Sequence, residues 1–315
     1  MEFINPSAEI WEQGPGVYNM WKHIARCTRV CYQSTPIENG EDSKEFVKRV
    51  IIRNFSKGEL DKMHGAMLEH GTVYLFIPWL DDVNTRLPEV VKHYCNNPYS
   101  KENYIYDNNP GSYVTTNLRV IYENGWLDDL KYICAPTEHH ARRVTVSFTT
   151  NIGVSRELNR HRVNSIAEES TRYCNYNKRN NGKINIGIPA WFDNDLDKSY
   201  LMCHESDSVI DDYCYDVSTR NGNSILYWND IDYYLFALSA AEFSYNNLIK
   251  KGWTPQQARE VLPLATKTQL IHTAFVDDWK HFFALRADGV SGRPHPNVMS
   301  LIKPLKDEFV KRNLL

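Results

Sequence analysis

No stretch of this chain approaches the ~20 apolar residues needed to span a bilayer. Its opening, Met-Glu-Phe-Ile-Asn-Pro, lacks the basic and apolar regions of a secretory signal. Neither membrane insertion nor export is expected, and a cytoplasmic location is. An excess of basic charge is also missing. Lys and Arg number 36 against 39 Asp and Glu, a net charge of −3, which argues against a dedicated nucleic-acid binder. The seven cysteines are odd in number and form no CxxC pair, so a disulfide framework and a zinc site are both disfavoured and no metal is expected. What is present is a 315-residue chain with 42% hydrophobic and 24% charged residues, enough for a sizeable core in one large domain or two ordinary ones.

The stretch from Arg156 to Tyr176 gathers the chemistry. Arg156, Arg160, Arg162 and Arg172 bring guanidinium groups, His161 an imidazole, Ser165, Ser170 and Thr171 hydroxyls, and Glu168 and Glu169 carboxylates. Arginine presents a planar fork of donors matched to phosphate oxygens, and hydroxyls supply shorter contacts. The two carboxylates then either balance the arginines or accept from a sugar hydroxyl. Arg and Glu at short spacing ordinarily make a solvated helix face whose ion pairs contribute little. Here, however, the alternating run Val144-Thr-Val-Ser-Phe148 reads as a buried strand just upstream. The turn Asn151-Ile-Gly-Val-Ser155, with Ser155 as N-cap, then starts a short helix loaded with arginine at a sheet edge, where ligands commonly sit.

Elsewhere the pattern predicts a helix over Tyr18–Tyr32, an amphipathic helix over 41–57 and a strand after Gly71. Between 78 and 136 turn-formers frame one hairpin and one helix, with Val114–Ile121 passing from strand to helix. A polar hairpin over 178–187, a return strand over Ile184–Pro189 and a surface excursion over 193–223 follow. A helix over Asp230–Gly252 stops at its glycine, and another starts at Thr254-Pro255. The fold class expected is α+β, a mostly antiparallel sheet flanked by helices in a single domain with an insertion at about 78–136.

Arg160-His161-Arg162, then seven residues, then Ser170 and Arg172-Tyr173 resembles the signature of the flavin-dependent thymidylate synthases. These enzymes methylate dUMP using methylenetetrahydrofolate, FAD and NADPH. Further stretches resemble the same family: Arg29-Val-Cys-Tyr32, Leu68-Glu69-His70, Ala258-Arg259-Glu-Val-Leu-Pro263 and Asp278-Trp-Lys-His281-Phe-Phe-Ala-Leu-Arg286. Together they cover residues 17–77 and 140–308.

The resemblance implies that dUMP is held by Glu157, Arg160, Glu168, Glu169, Ser170, Thr171, Arg172, Arg259 and Arg286. It assigns FAD to Glu69, Arg160, His161, Arg162, Val163, Glu168 and His281, and implies a homotetramer with shared sites. Two departures stand out. Glu157 replaces a Gln that many relatives carry, bringing a carboxylate toward the nucleotide, and Phe275 and Asp277 fall where short relatives use Asn and Arg on the flavin. Carbon C5 of uracil is a poor nucleophile, so a cation must raise enolate character at N3 and O4, and Arg286 is the expected catalytic residue. Ser170 has no evident general base and is assigned to binding. Two other readings compete: a nucleic-acid module built on the Arg and Tyr residues, and a thymidylate synthase with Cys174 as thiolate nucleophile. Cys174 reads instead as a small packed residue.

Overall fold

The computed structural model describes residues 1–34, 42–52, 64–79, 88–106, 110–178, 182–192 and 229–315. From the N-terminus, β1 (Glu2–Ile4) and β2 (Ser7–Trp11) lead into α1 (Gly16–Tyr32) and a short α2 (Ser43–Val47) that loosens into a π-turn over Lys48–Ile52. A 3-10 turn, Gly65–His70, delivers β3 (Thr72–Pro78), and α3 (Glu89–Cys95), β4 (Lys101–Ile105), β5 (Gly111–Asn117) and α4 (Leu118–Asn124) follow. Next come β6 (Arg143–Asn151), α5 (Ile152–Leu158), β7 (Ser165–Glu168) and β8 (Asn185–Gly187). Last are α6 (Asp230–Lys250), α7 (Pro255–Ala258), β9 (Lys267–Phe275), α8 (Val276–Arg286) and α9 (Pro296–Lys311). The expected surface excursion over 193–223, the last residues of the 41–57 helix and the tip at 180–181 lie outside the described residues.

The central sheet is antiparallel with strand order β2-β6-β9-β7. Its period-two alternation sends Val144, Val146, Phe148, Leu270 and Ala274 to one face, where Trp279, Phe282 and Phe283 of α8 and Phe309 of α9 close an apolar core. Each Val, Leu or Phe side chain among them contributes roughly 1.5–3 kcal/mol on burial. Polar alternates face the other way. An ordinary half-exposed sheet would leave them in water, but α1 covers this face. His23 on α1 meets Thr145 Oγ1 at 3.1 Å, Thr145 meets Thr273 at 2.7 Å, and Thr273 meets His70 Nδ1 at 2.8 Å. The hydroxyls are thus buried but paired, as burial requires. Burial pushes the His23 imidazole down to about 4, so it sits there neutral.

The segment between the predicted boundaries 78 and 136 is richer than one hairpin and one helix. β3, β5 and β4 form a second antiparallel sheet, and α3 precedes the hairpin. The expected strand-to-helix passage is found at Asn117, whose side chain accepts from Val120 N and caps α4. The expected return strand is also re-paired. β8 runs parallel to β1, because Ile184, Ile186 and Ile188 join Phe3 in a third apolar cluster, which the polar residues before them could not provide. Among the described residues Cys27, Cys31, Cys95, Cys134 and Cys174 form no disulfide, and Cys174 is fully buried, as expected of a packed residue.

Gly71 marks where α1 meets the 3-10 turn. Its backbone is ordinary (φ −78°, ψ 94°), so the constraint is space. A Cβ there would collide with the buried Ile24 side chain and lie 3.2 Å from Met20 Cγ. Gly71→Ala is expected to destabilise the fold by about 1–3 kcal/mol through overpacking. A denaturant midpoint unchanged from wild type would contradict this contact.

Candidate functional site

β7 is the edge strand of the central sheet, and the chain leaves it at Glu168. Glu169 N donates to Gln269 O at 2.8 Å, and Ser170 N donates to Cys31 O at 3.0 Å, which fixes the following turn to β9 and to the end of α1. A cleft of about 570 Å³ opens there, lined by Arg156, Glu168, Glu169, Ser170, Thr171, Arg172 and Arg259 among others. Arg259 comes from the short helical element after α7, where Gln257 Oε1 accepts from Thr254 N at 2.9 Å and secures the start. Its Nη1 donates to Thr171 Oγ1 at 3.3 Å, joining the two segments. The short arginine-bearing helix α5 starts one turn earlier than expected. Asn151, not Ser155, is the cap, accepting from Val154 N at 2.9 Å, while Ser155 Oγ donates to Ile152 O within the helix.

The two carboxylates differ in role. Glu169 is buried and paired with Lys267 Nζ at 2.7 Å, a charge balance inside the cleft wall. Glu168 is only partly buried and is aimed from behind: Thr268 Oγ1 donates to Oε1 at 3.0 Å and Asn159 Nδ2 to Oε2 at 2.8 Å. Asn159 Oδ1 in turn faces His272 Nε2 at 3.3 Å, and Asn164 Nδ2 faces His272 Nδ1 at 3.1 Å. These partners fix the proton on Nε2, and burial drives the His272 pKa down to about 3, so the imidazole stays neutral. Lys267 and His272 on β9 and Asn159 and Asn164 in the turn after α5 were not singled out from the sequence, because nothing local marks a residue as the support of a distant carboxylate.

A second cluster forms around Arg286 in the last turn of α8. Its Nε donates to His161 Nε2 at 3.0 Å, its Nη1 to Glu157 Oε2 at 3.2 Å and its Nη2 to Glu157 O at 2.9 Å. Glu157, expected beside the nucleotide phosphate or sugar, pairs within this chain with Arg286. His281 lies near His161, with ring centroids 6.3 Å apart. Arg160, Arg162 and Val163 are exposed on the turn beside His161 and carry no ion pair among the described residues.

Glu69 sits on the 3-10 turn next to β7 and pairs with Arg119 Nη1 at 2.5 Å, a partner from the region between 78 and 136. At the departures, Asp277 pairs with Lys101 Nζ at 3.0 Å, and the same ammonium stands 4.7 Å over the Phe275 ring. The structure therefore brings Glu168, Glu169, Ser170, Thr171, Arg172 and Arg259 into one cleft, and places Glu157, His161, His281 and Arg286 in a separate group.

The profile of the family described as thymidylate synthase complementing protein matches residues 130–311, more than half of the chain. A probable flavin-dependent thymidylate synthase of Paramecium bursaria Chlorella virus 1 is 33% identical over 67 residues, 21% of this chain and 30% of that protein. The flavin-dependent thymidylate synthase of Mycobacterium tuberculosis (strain ATCC 25618 / H37Rv) is 26% identical over 219 residues, 67% of this chain and 71% of that protein. Among solved structures, the UMP/dUMP methylase PolB from Streptomyces cacaoi bound with 5-Br UMP aligns with a TM-score of 0.39 and 14% identity, over 98% of this chain and 91% of that one. Thymidylate synthase X from Helicobacter pylori with FAD and dUMP aligns with a TM-score of 0.36 and 14% identity, over 96% and 92%.

The Arg286 hydrogen bond requires His161 to accept at Nε2 and therefore to be neutral. Burial first, then the Arg286 charge, lowers its pKa from 6.5 to about 4. A histidine whose folded pKa lies below its unfolded one contributes stability above pH 6.5 and loses it as pH falls toward 4. His23 has the same sign and the same window. Denaturant midpoints should therefore decline as pH falls from 6.5 to 4, and His161→Gln should flatten part of that slope. Identical slopes for variant and wild type would remove His161 from the account.

Proposed function

The chain belongs to the thymidylate synthase complementing protein family, and from that premise we propose that it is a flavin-dependent thymidylate synthase. It would convert dUMP to dTMP with methylenetetrahydrofolate as carbon donor and NADPH as reductant, in the cytoplasm. The observation that carries this reading is the cleft at the end of β7. Two distant segments set the Arg172 and Arg259 guanidiniums there around the Ser170 and Thr171 hydroxyls, with a supported carboxylate, Glu168, alongside. Guanidinium forks grip a phosphate, hydroxyls complete its donors, and a carboxylate accepts from a sugar hydroxyl. Glu169, already neutralised by Lys267, shapes the wall and takes no charge from the ligand.

The turn after α5 fits FAD. Arg160 and Arg162 are exposed without acidic partners among the described residues, which suits a pyrophosphate, and Val163 beside them is 67% exposed. His161, His281, Glu168 and Glu69 complete the proposed set. Asp277 and Phe275 stay outside it, since Lys101 occupies both. When bound, FAD supplies the hydride. The chain's own work is to orient and polarise.

Arg286 is proposed as the catalytic cation at the uracil. Held by His161 and Glu157, its guanidinium does not need to reorganise as negative charge develops on O4 and N3. Because Arg286 does not line the Arg172–Arg259 cleft of its own chain, a site using both would draw them from different subunits, in keeping with a homotetramer.

If Arg172 and Arg259 hold the phosphate, replacing either with Ala should weaken dUMP binding by roughly 1.5–3 kcal/mol, the loss of a charge-assisted hydrogen bond, while the flavin absorption band is retained. Loss of flavin with dUMP binding intact would reverse the assignment. Arg286→Lys keeps the charge but loses the planar fork. It should bind dUMP almost normally yet form dTMP ~10²-fold more slowly in single turnovers with prereduced flavin. Slowed flavin reduction by NADPH with unchanged dTMP formation would place Arg286 in the other half-reaction.

A further inference from the structure

Between the ends of β2, β3 and β6 lies a second cleft of about 400 Å³ that shares no lining residue with the Arg172–Arg259 cleft, walled by Trp11, Gln13, Tyr74, Arg142, Arg143 and Leu314 among others. Its charge is unbalanced. Arg143 is mostly buried, and every acceptor it finds is neutral: Nη1 donates to Glu69 O at 3.1 Å and to Thr72 Oγ1 at 3.4 Å, and Nη2 to Ser165 Oγ at 3.2 Å. Its Nε is buried with no hydrogen-bond partner among the described residues. The Glu69 carboxylate is turned to Arg119, and it, the Tyr74 phenol and Asp278 act on Arg143 through space. Burial accordingly pulls the Arg143 pKa down to about 10.

Arg142, next in the chain and exposed, has no side-chain partner among the described residues. The acid that does line the cleft, Glu12, is taken by Arg312 Nη1 at 2.8 Å. Charges withdrawn from water are normally matched by a counter-charge, and here, among the described residues, neither Arg142 nor Arg143 has an ion-pair partner, Glu69 and Asp278 acting on Arg143 only through space.

We propose that this cleft binds a small aromatic anion, a phosphate or carboxylate head on a flat ring, with Arg142 and Arg143 as its counter-charge. The head group completes the arginine pair. The ring lies against the apolar walls given by Ile10, Trp11, Pro136 and Leu314, in a volume within the usual range for a small ligand. Gln13 cannot recruit the ligand, because its amide is spent on Thr72, donating to the carbonyl at 2.7 Å and accepting from the N–H at 2.9 Å. The inference does not rest on the dUMP reading, since no residue of the Arg172–Arg259 cleft takes part.

The test is calorimetric titration of the full-length protein with phenyl phosphate, benzoate and inorganic phosphate. At least one aromatic anion should bind saturably with one site per chain and more tightly than inorganic phosphate. Whichever of phenyl phosphate and benzoate binds better identifies the head group. Arg142→Ala should weaken that binding roughly tenfold or more, the scale of one charge-assisted hydrogen bond. Arg143→Gln should do the same if it folds, and the exposed Arg142 carries the test if it does not. Arg172→Ala should leave it unchanged. Absence of saturable binding, equal binding of inorganic phosphate, indifference to Arg142→Ala, or loss in Arg172→Ala would each overturn the proposal.

Discussion

The buried polar face of the central sheet is the constraint on which the rest of the molecule depends. Thr145 and Thr273 lie under α1 where water cannot reach them, and an unpaired buried hydroxyl costs about 1–3 kcal/mol. Their pairing with each other, with His23 above and with His70 beyond ties together α1, the 3-10 turn and strands β6 and β9. That same junction carries Glu69, and α1 ends where Cys31 O receives Ser170 N at 3.0 Å. The cleft at the edge of β7 is therefore held by a hydrogen-bonded core and not by its own loops.

Two different electrostatic solutions serve the two groups of candidate site side chains. In the β7 cleft Arg156, Arg172 and Arg259 outnumber the acids left to them, Glu168 and Glu260, because Lys267 neutralises Glu169; Glu260 lies 3.8 Å from Arg259. Such an excess suits an anionic ligand. Around Arg286 the opposite holds: each nitrogen of the guanidinium donates once, to neutral His161 or to Glu157, which leaves one N–H on each of Nη1 and Nη2. The glutamate that departs from the family's usual glutamine thus acts first on Arg286, reducing its net charge while fixing its plane.

The region between 78 and 136 adds contacts of the same kind. Arg119 on α4 takes the Glu69 carboxylate, and Lys101 on β4 takes Asp277 at the start of α8. Both acids belong to positions tied by resemblance to the flavin, so this second sheet sets the charge around that part of the molecule. Its aromatic residues largely pack among themselves, with Trp79 near Tyr104 and Tyr106, and Tyr113 near Phe76.

By itself the sequence determined what local chemistry can determine. Alternation at Val144–Phe148 marked β6, the apolar periodicity of Tyr18–Tyr32 marked α1, Thr254-Pro255 marked a helix start, and the residues from Glu168 to Arg172 stood out as a group of charged and hydroxyl side chains that the fold gathers in one cleft. Family resemblance added Arg259 and Arg286, which no local pattern singles out. Only the tertiary structure decided the partners. It paired β8 with β1 because three isoleucines needed the cluster around Phe3, moved the α5 cap to Asn151, and set Lys267 beneath Glu169 and Glu157 against Arg286. The physical reason is that helix and strand propensity act over a few residues, whereas the energy of a buried charge or hydroxyl depends on which distant atom meets it once water is gone.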